Sequence, residues 1–131
     1  MRYLLSIITD ESGFERATPE ERERMSAAYV AFTDEVEAAG VLRGGDGLQP
    51  SSTATTVRVR DGEPLLTDGP FAETREQLGG YYLLECGDLD EAVRWAAKIP
   101  GAAGGAVEVR PVMDYTTERL GSEAREAAAR G

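Results

Sequence analysis

Two segments of this chain, Arg2 to Ile8 and Tyr81 to Cys86, are short enough to be strands and apolar on both of their alternating faces. In the first, Tyr3-Leu5-Ile7 forms one face and Leu4-Ser6-Ile8 the other. A strand of this kind has to be covered on both sides. The periodicity of the rest of the chain marks only two core-forming helices, enough to cover one face of a sheet. The second face needs its own cover, most economically the same face of a second copy. The pattern therefore predicts a homodimer.

The helices are well signalled. Thr18-Pro19-Glu20-Glu21 has an N-cap hydroxyl, a proline at the first helical position and the glutamate of a capping box. Met25, Ala28, Tyr29, Phe32, Val36 and Ala39 follow as an apolar stripe, and Gly40 is placed to end the helix. Asp88, with Glu91 after it, caps a second helix whose inward stripe is Leu89, Ala92, Val93, Ala96 and Ile99, ended by Pro100-Gly101. Val41-Leu42 starts a strand that runs into GGDGLQP, Gly44 to Pro50, where three glycines imply a bulge, a bend or a close backbone approach. Ala54 to Arg60 and Glu63 to Thr67 flank Asp61-Gly62 as a hairpin, and Ala106 to Val112 is the last strand. The order is β-α-β, an inserted hairpin, then β-α-β. This is an α+β chain of the ferredoxin-like βαββαβ kind.

Composition narrows the chemistry. At 131 residues one domain is expected. A net charge of -10 without a Lys/Arg cluster disfavours nucleic acid, and no apolar run is long enough to span a membrane. The opening MRYLLSIITDES reads as a strand and not as a secretion signal, and with Cys86 as the single cysteine a cytoplasmic setting is expected. The absence of histidine excludes Ser-His-Asp and Cys-His nucleophile systems and imidazole-ligated metals. Neither a metal nor an organic cofactor is expected, and acid/base work would fall to Asp, Glu, Tyr or Arg-assisted carboxylates.

The stretch DGPFAETREQLGGYYLLE, Asp68 to Glu85, together with GLQP at Gly47 to Pro50 and VEVRPVM at Val107 to Met113, resembles the DGPF-domain proteins of the YCII-related family. The resemblance covers residues 1–113 and leaves 114–131 as a polar tail. It implies a dimeric α+β barrel of ferredoxin-like subunits, with no settled reaction. Family members carry a histidine early in the first helix, paired with an aspartate as a suspected acid/base dyad; here that helix offers Glu and Arg instead. Set against the family's strands, residues 50–79 form an insertion carrying the DGPF motif.

Asp68 is read either as a cap on a helical turn over Phe71 to Leu78 or as an acid facing a pocket. Phe71 is read as an anchor packing the insertion onto the domain or as a stacking platform, and Glu73 as a solvated charge or a ligand contact. Arg43 and Arg110 could hold a small anion or pair with Glu85, Glu108 or Asp46. The rings of Tyr3, Tyr81 and Tyr82 pack in the core with the hydroxyl at the rim, or line a cleft with their hydroxyls. Three functions fit: a small-molecule binding or sensing homodimer with a pocket near Asp68, a cofactor-independent isomerase or lyase acting on a small organic acid, and a protein-interaction module.

Overall fold

A computed structural model describes residues 1–114. The expected polar tail, apart from Asp114, lies outside the described residues. The chain runs β1 (Arg2–Asp10), α1 (Glu11–Arg16), α2 (Pro19–Ala38), β2 (Leu42–Gly47), a 3₁₀ turn at Ser51–Thr53, β3 (Thr55–Arg60), β4 (Glu63–Asp68), β5 (Glu76–Glu85), α3 (Leu89–Lys98), α4 (Gly101–Gly104) and β6 (Ala106–Pro111). Four strands make one antiparallel sheet in the order β2-β5-β1-β6, and β3-β4 is a separate two-stranded sheet. With the hairpin set aside, this is the strand order of a ferredoxin-like fold, and the chain is α+β.

The helix ends follow their residues. The Thr18 hydroxyl oxygen accepts from the Glu21 backbone N–H at 3.1 Å, satisfying one of the donors that an α-helix leaves free at its start. At the other end of α2, Gly40 takes φ 75°, the Gly40 N–H donates to the Glu37 carbonyl and the Val41 N–H to the Val36 carbonyl. That is a Schellman closure, and it delivers Val41 onto the core. Asp88 accepts from the Glu91 N–H at 2.9 Å to open α3.

The core lies on the helix-bearing face of the sheet. Tyr3, Leu5 and Ile7 of β1 and Tyr82 and Leu84 of β5 pack under Phe32, Val36, Ala92, Ala96 and Ile99. Phe32 sets its ring edge-on to Tyr82, with centroids 4.9 Å apart. On the opposite face Leu4 stands across from Leu83, and both are only half-buried.

Three expectations change, one of them in α3, where Leu89 and Val93 of the inward stripe are about half exposed. The segment from Phe71 to Leu78 is not a helical turn: an irregular loop ends at Arg75 and β5 begins at Glu76. Pairing of Glu76 and Gln77 with Asp10 and Thr9 of β1 draws these residues into the sheet. The α2 stripe is also not buried along its length; only Phe32 and Val36 are, and Met25 is 41% exposed. The N-terminal half of α2 stands away from the sheet, with a cleft beneath it.

Candidate functional site

The cleft, about 1200 Å³, is bounded by α1, the N-terminal half of α2, the start of α4 and the sheet where β2 meets β5. Its floor is glycine because the strands leave no room for side chains. A Cβ on Gly45 would lie 2.9 Å from the Tyr81 carbonyl oxygen, and one on Gly80 would lie 2.9 Å from that of Asp46. The close approach signalled by the glycines of GGDG is thus an approach by β5. Gly47 differs, because a Cβ there would meet nothing within 4 Å.

Three linked hydroxyl residues form one wall. Thr33 Oγ1 donates to the Tyr29 backbone carbonyl at 2.8 Å and lies 2.8 Å from the Tyr82 hydroxyl. A threonine has a single hydroxyl proton, so Tyr82 is the donor in the second bond. The Tyr29 hydroxyl sits over Gly101, where a Cβ would come within 2.6 Å of it. Burial pushes the Tyr29 phenol above its ordinary pKa, with a hydrogen bond from the Gly101 backbone acting the other way.

The rim at α1 is acidic, and the carboxylates of Asp10 and Glu11 are engaged there. Asp10 Oδ1 accepts from the Ser12 N–H at 2.9 Å and from the Ser12 hydroxyl at 2.6 Å, capping α1. The bond from the Ser12 side chain is the main reason that its carboxyl titrates below the ordinary value. The two carboxylate oxygens of Glu11 take the Ser51 N–H and hydroxyl, each at 2.7 Å, tying α1 to the 3₁₀ turn. On the opposite face of β2 and β5, Tyr81 donates to Asp46 at 2.9 Å, and that bond raises its phenol pKa.

Comparison with known proteins fits this architecture. The YCII-related domain matches residues 1–116. The chain belongs to the YCII-related family. It is also similar to an uncharacterized protein of Rhizobium meliloti (strain 1021), 39% identical over 124 residues, which covers 93% of this chain and all of the relative.

In this YCII-related chain the residues expected to form a site are not brought together, and of them only Tyr81 and Tyr82 line the cleft. Asp68 ends β4, exposed, and makes no hydrogen bond to any described residue. The capping expected of it falls to Gln77, whose amide donates to the carbonyls of Ala72 at 2.9 Å and Thr74 at 2.6 Å. Phe71 is 78% exposed, with the Arg58 guanidinium 5.3 Å from its ring centre, so it does not anchor the insertion within one chain. Glu73 is exposed in the same loop. Arg43 donates to the carbonyls of Gly40 and Leu42 and not to a carboxylate, while Arg110 pairs with Glu108 at 2.6 Å. Tyr3 is in the core, 4% exposed.

The wall residues were only partly legible. Tyr29 was legible as part of an apolar stripe, but Thr33 and Thr9 carry no local signal; only the fold sets them over the glycine floor. Among the described residues no group of three or more His, Cys, Asp or Glu is placed to hold a metal ion. No helix among them is long and apolar enough to cross a membrane.

Proposed function

We propose that this YCII-related chain is a small-molecule-binding homodimer whose ligand occupies the cleft under α2. The observation that carries the reading is the cleft itself. Its volume, about 1200 Å³, suits a drug-sized organic molecule, and apolar walls there meet a few convergent hydroxyls. The glycine floor supports the reading because it lets a flat ligand lie against backbone. The homodimer is supported by the sheet face carrying Leu4 and Leu83, which no helix among the described residues covers.

The experiment is a thermal-shift screen of small organic molecules against the wild type and Gly47→Phe. The added ring enters open space above the floor, so the fold should be kept while the cleft is filled. Hits should raise the melting temperature of the wild type and not of the variant. Equal shifts in both would place binding elsewhere and reject the reading.

A second reading, an interaction role for the hairpin, is supported by a different observation. Val57, Val59 and Leu66 are 58%, 72% and 69% exposed on one side of β3-β4, and Phe71 projects from the adjoining loop. A two-stranded sheet is at best marginally stable alone in water. The natural cover for this surface is the second copy, with Asp68, Phe71 and Glu73 at its edge. If so, Val59→Lys with Leu66→Lys should weaken self-association; unchanged association would remove this reading.

A further inference from the structure

We infer that the cleft is built for a largely apolar, non-anionic organic molecule bearing a carbonyl-type acceptor, and that the Tyr29 hydroxyl donates the bond that orients it. The inference rests on reading the cleft as the ligand site and adds the class of ligand and the group that recognises it.

The donor is identified by following the hydroxyl protons. Thr33 gives its proton to the Tyr29 carbonyl, and Tyr82 gives its own to Thr33, so neither has one left for a ligand. The Tyr29 hydroxyl lies against Gly101, and among the described residues nothing accepts its proton. It is half-buried beside Gly101 and Ile7 and lines the cleft. Burial favours the neutral phenol, so the proton is retained at neutral pH. A donor held in place with no acceptor is matched by a carbonyl oxygen. Thr9, whose methyl also reaches the Gly101 position, stands beside it with its hydroxyl toward Gly79 and can act as a second donor.

Charge sets the rest of the class. Among the described residues Asp10, Glu11 and Glu15 line the cleft against a single Arg16, so an anion is repelled, while the Asp46 carboxylate lies with Tyr81 on the other face of the sheet. Asp10 and Glu11 keep their charge while they accept from Ser12 and Ser51, so the acidic side of the cleft excludes an anion without excluding a cationic substituent. Apolar rings and glycine backbone make up the remainder, and they favour an apolar body.

The test uses prodan, a neutral naphthalene with one ketone whose emission shifts when the carbonyl is hydrogen-bonded. It is titrated into the wild type, Tyr29→Phe, Gly101→Ala and Gly47→Phe, all checked for native melting. The wild type should bind prodan with the emission of a hydrogen-bonded ketone. Tyr29→Phe should weaken binding roughly tenfold and remove that emission signature, as expected for one lost hydrogen bond. Gly101→Ala, which pushes the Tyr29 hydroxyl aside, should do the same and serves if Tyr29→Phe melts early. Gly47→Phe should abolish binding.

Unchanged affinity and emission in Tyr29→Phe, with binding abolished in Gly47→Phe, overturns the donor but leaves the cleft as a ligand site. Binding untouched by Gly47→Phe overturns both. The non-anionic class is overturned if anilinonaphthalene sulfonate binds as tightly as prodan. It is also overturned if the wild type fails to bind prodan at about 100 µM, a concentration corresponding to roughly -5.5 kcal/mol of binding free energy.

Discussion

The Gln77 amide closes the loop ahead of β5 by donating to two carbonyls, and it is half-buried where it does so. Gln77→Ala should cost about 1 kcal/mol in urea denaturation, because those carbonyls lose their partner. Asp68→Ala should change stability by less than about 0.5 kcal/mol, as for other exposed positions without a special role. A larger loss at Asp68 than at Gln77 would reverse this assignment of the loop's support. At Asp10 the two bonds from Ser12 hold the carboxyl below its ordinary value of 3.8. A carboxyl whose folded pKa is depressed contributes stability above its unfolded pKa and loses it as pH falls through the folded value. Ser12→Ala should raise the Asp10 pKa toward 3.8 in an NMR titration and shrink its share of acid sensitivity. No movement of that pKa would show that Ser12 is not the cause.

Helix ends and the hairpin set the behaviour of whole elements. Gly40 closes α2 at φ 75°, a region that costs a side chain about 1 kcal/mol. Gly40→Ala should therefore lower stability by about that amount in thermal or urea unfolding, and the absence of a loss would mean that α2 ends differently in solution. The turn of the β3-β4 hairpin suits its residues, with Asp61 at φ 52° and Gly62 at φ 78°. Its strands pair with each other and with no strand of the main sheet. Hydrogen exchange of the amides between β3 and β4 should be faster than that of β1 and β5 in a monomeric variant, since local opening there disturbs few packed groups. Protection equal to that of β1 would show that the hairpin is held by contacts beyond its own pairing.

The whole molecule depends on what covers the face opposite the helices. Leu4 and Leu83 meet across β1 and β5 on that face. If a second copy covers them, light scattering should give about twice the 14.1 kDa chain mass. Leu4→Asp with Leu83→Asp should then yield a monomer, because two carboxylates would be carried into an apolar interface. A wild-type monomer at micromolar concentration would remove the dimer.

Much of the fold was legible because its signals are local. The doubly apolar strands, the Thr18-Pro19 and Asp88 caps, Gly40 and Asp61-Gly62 act through backbone geometry and neighbours a few residues away, and the structure uses each of them where it stands in the sequence. Short-range pattern was less decisive where a partner strand competed with it: the loop after Gly69 has turn-forming residues, yet Glu76 and Gln77 joined β1. The short helix α1 went unsignalled because its cap, Asp10, is also the last residue of β1. The amino-acid sequence thus determined the α+β class, the boundaries of α2 and α3 and the absence of imidazole chemistry. Tertiary structure alone decided where the cleft lies and which groups face it, because Tyr29 and Thr33 of α2 are distant in the chain from Gly47, Tyr82 and Gly101 and meet them only when α2 and α4 close over the paired strands β2 and β5.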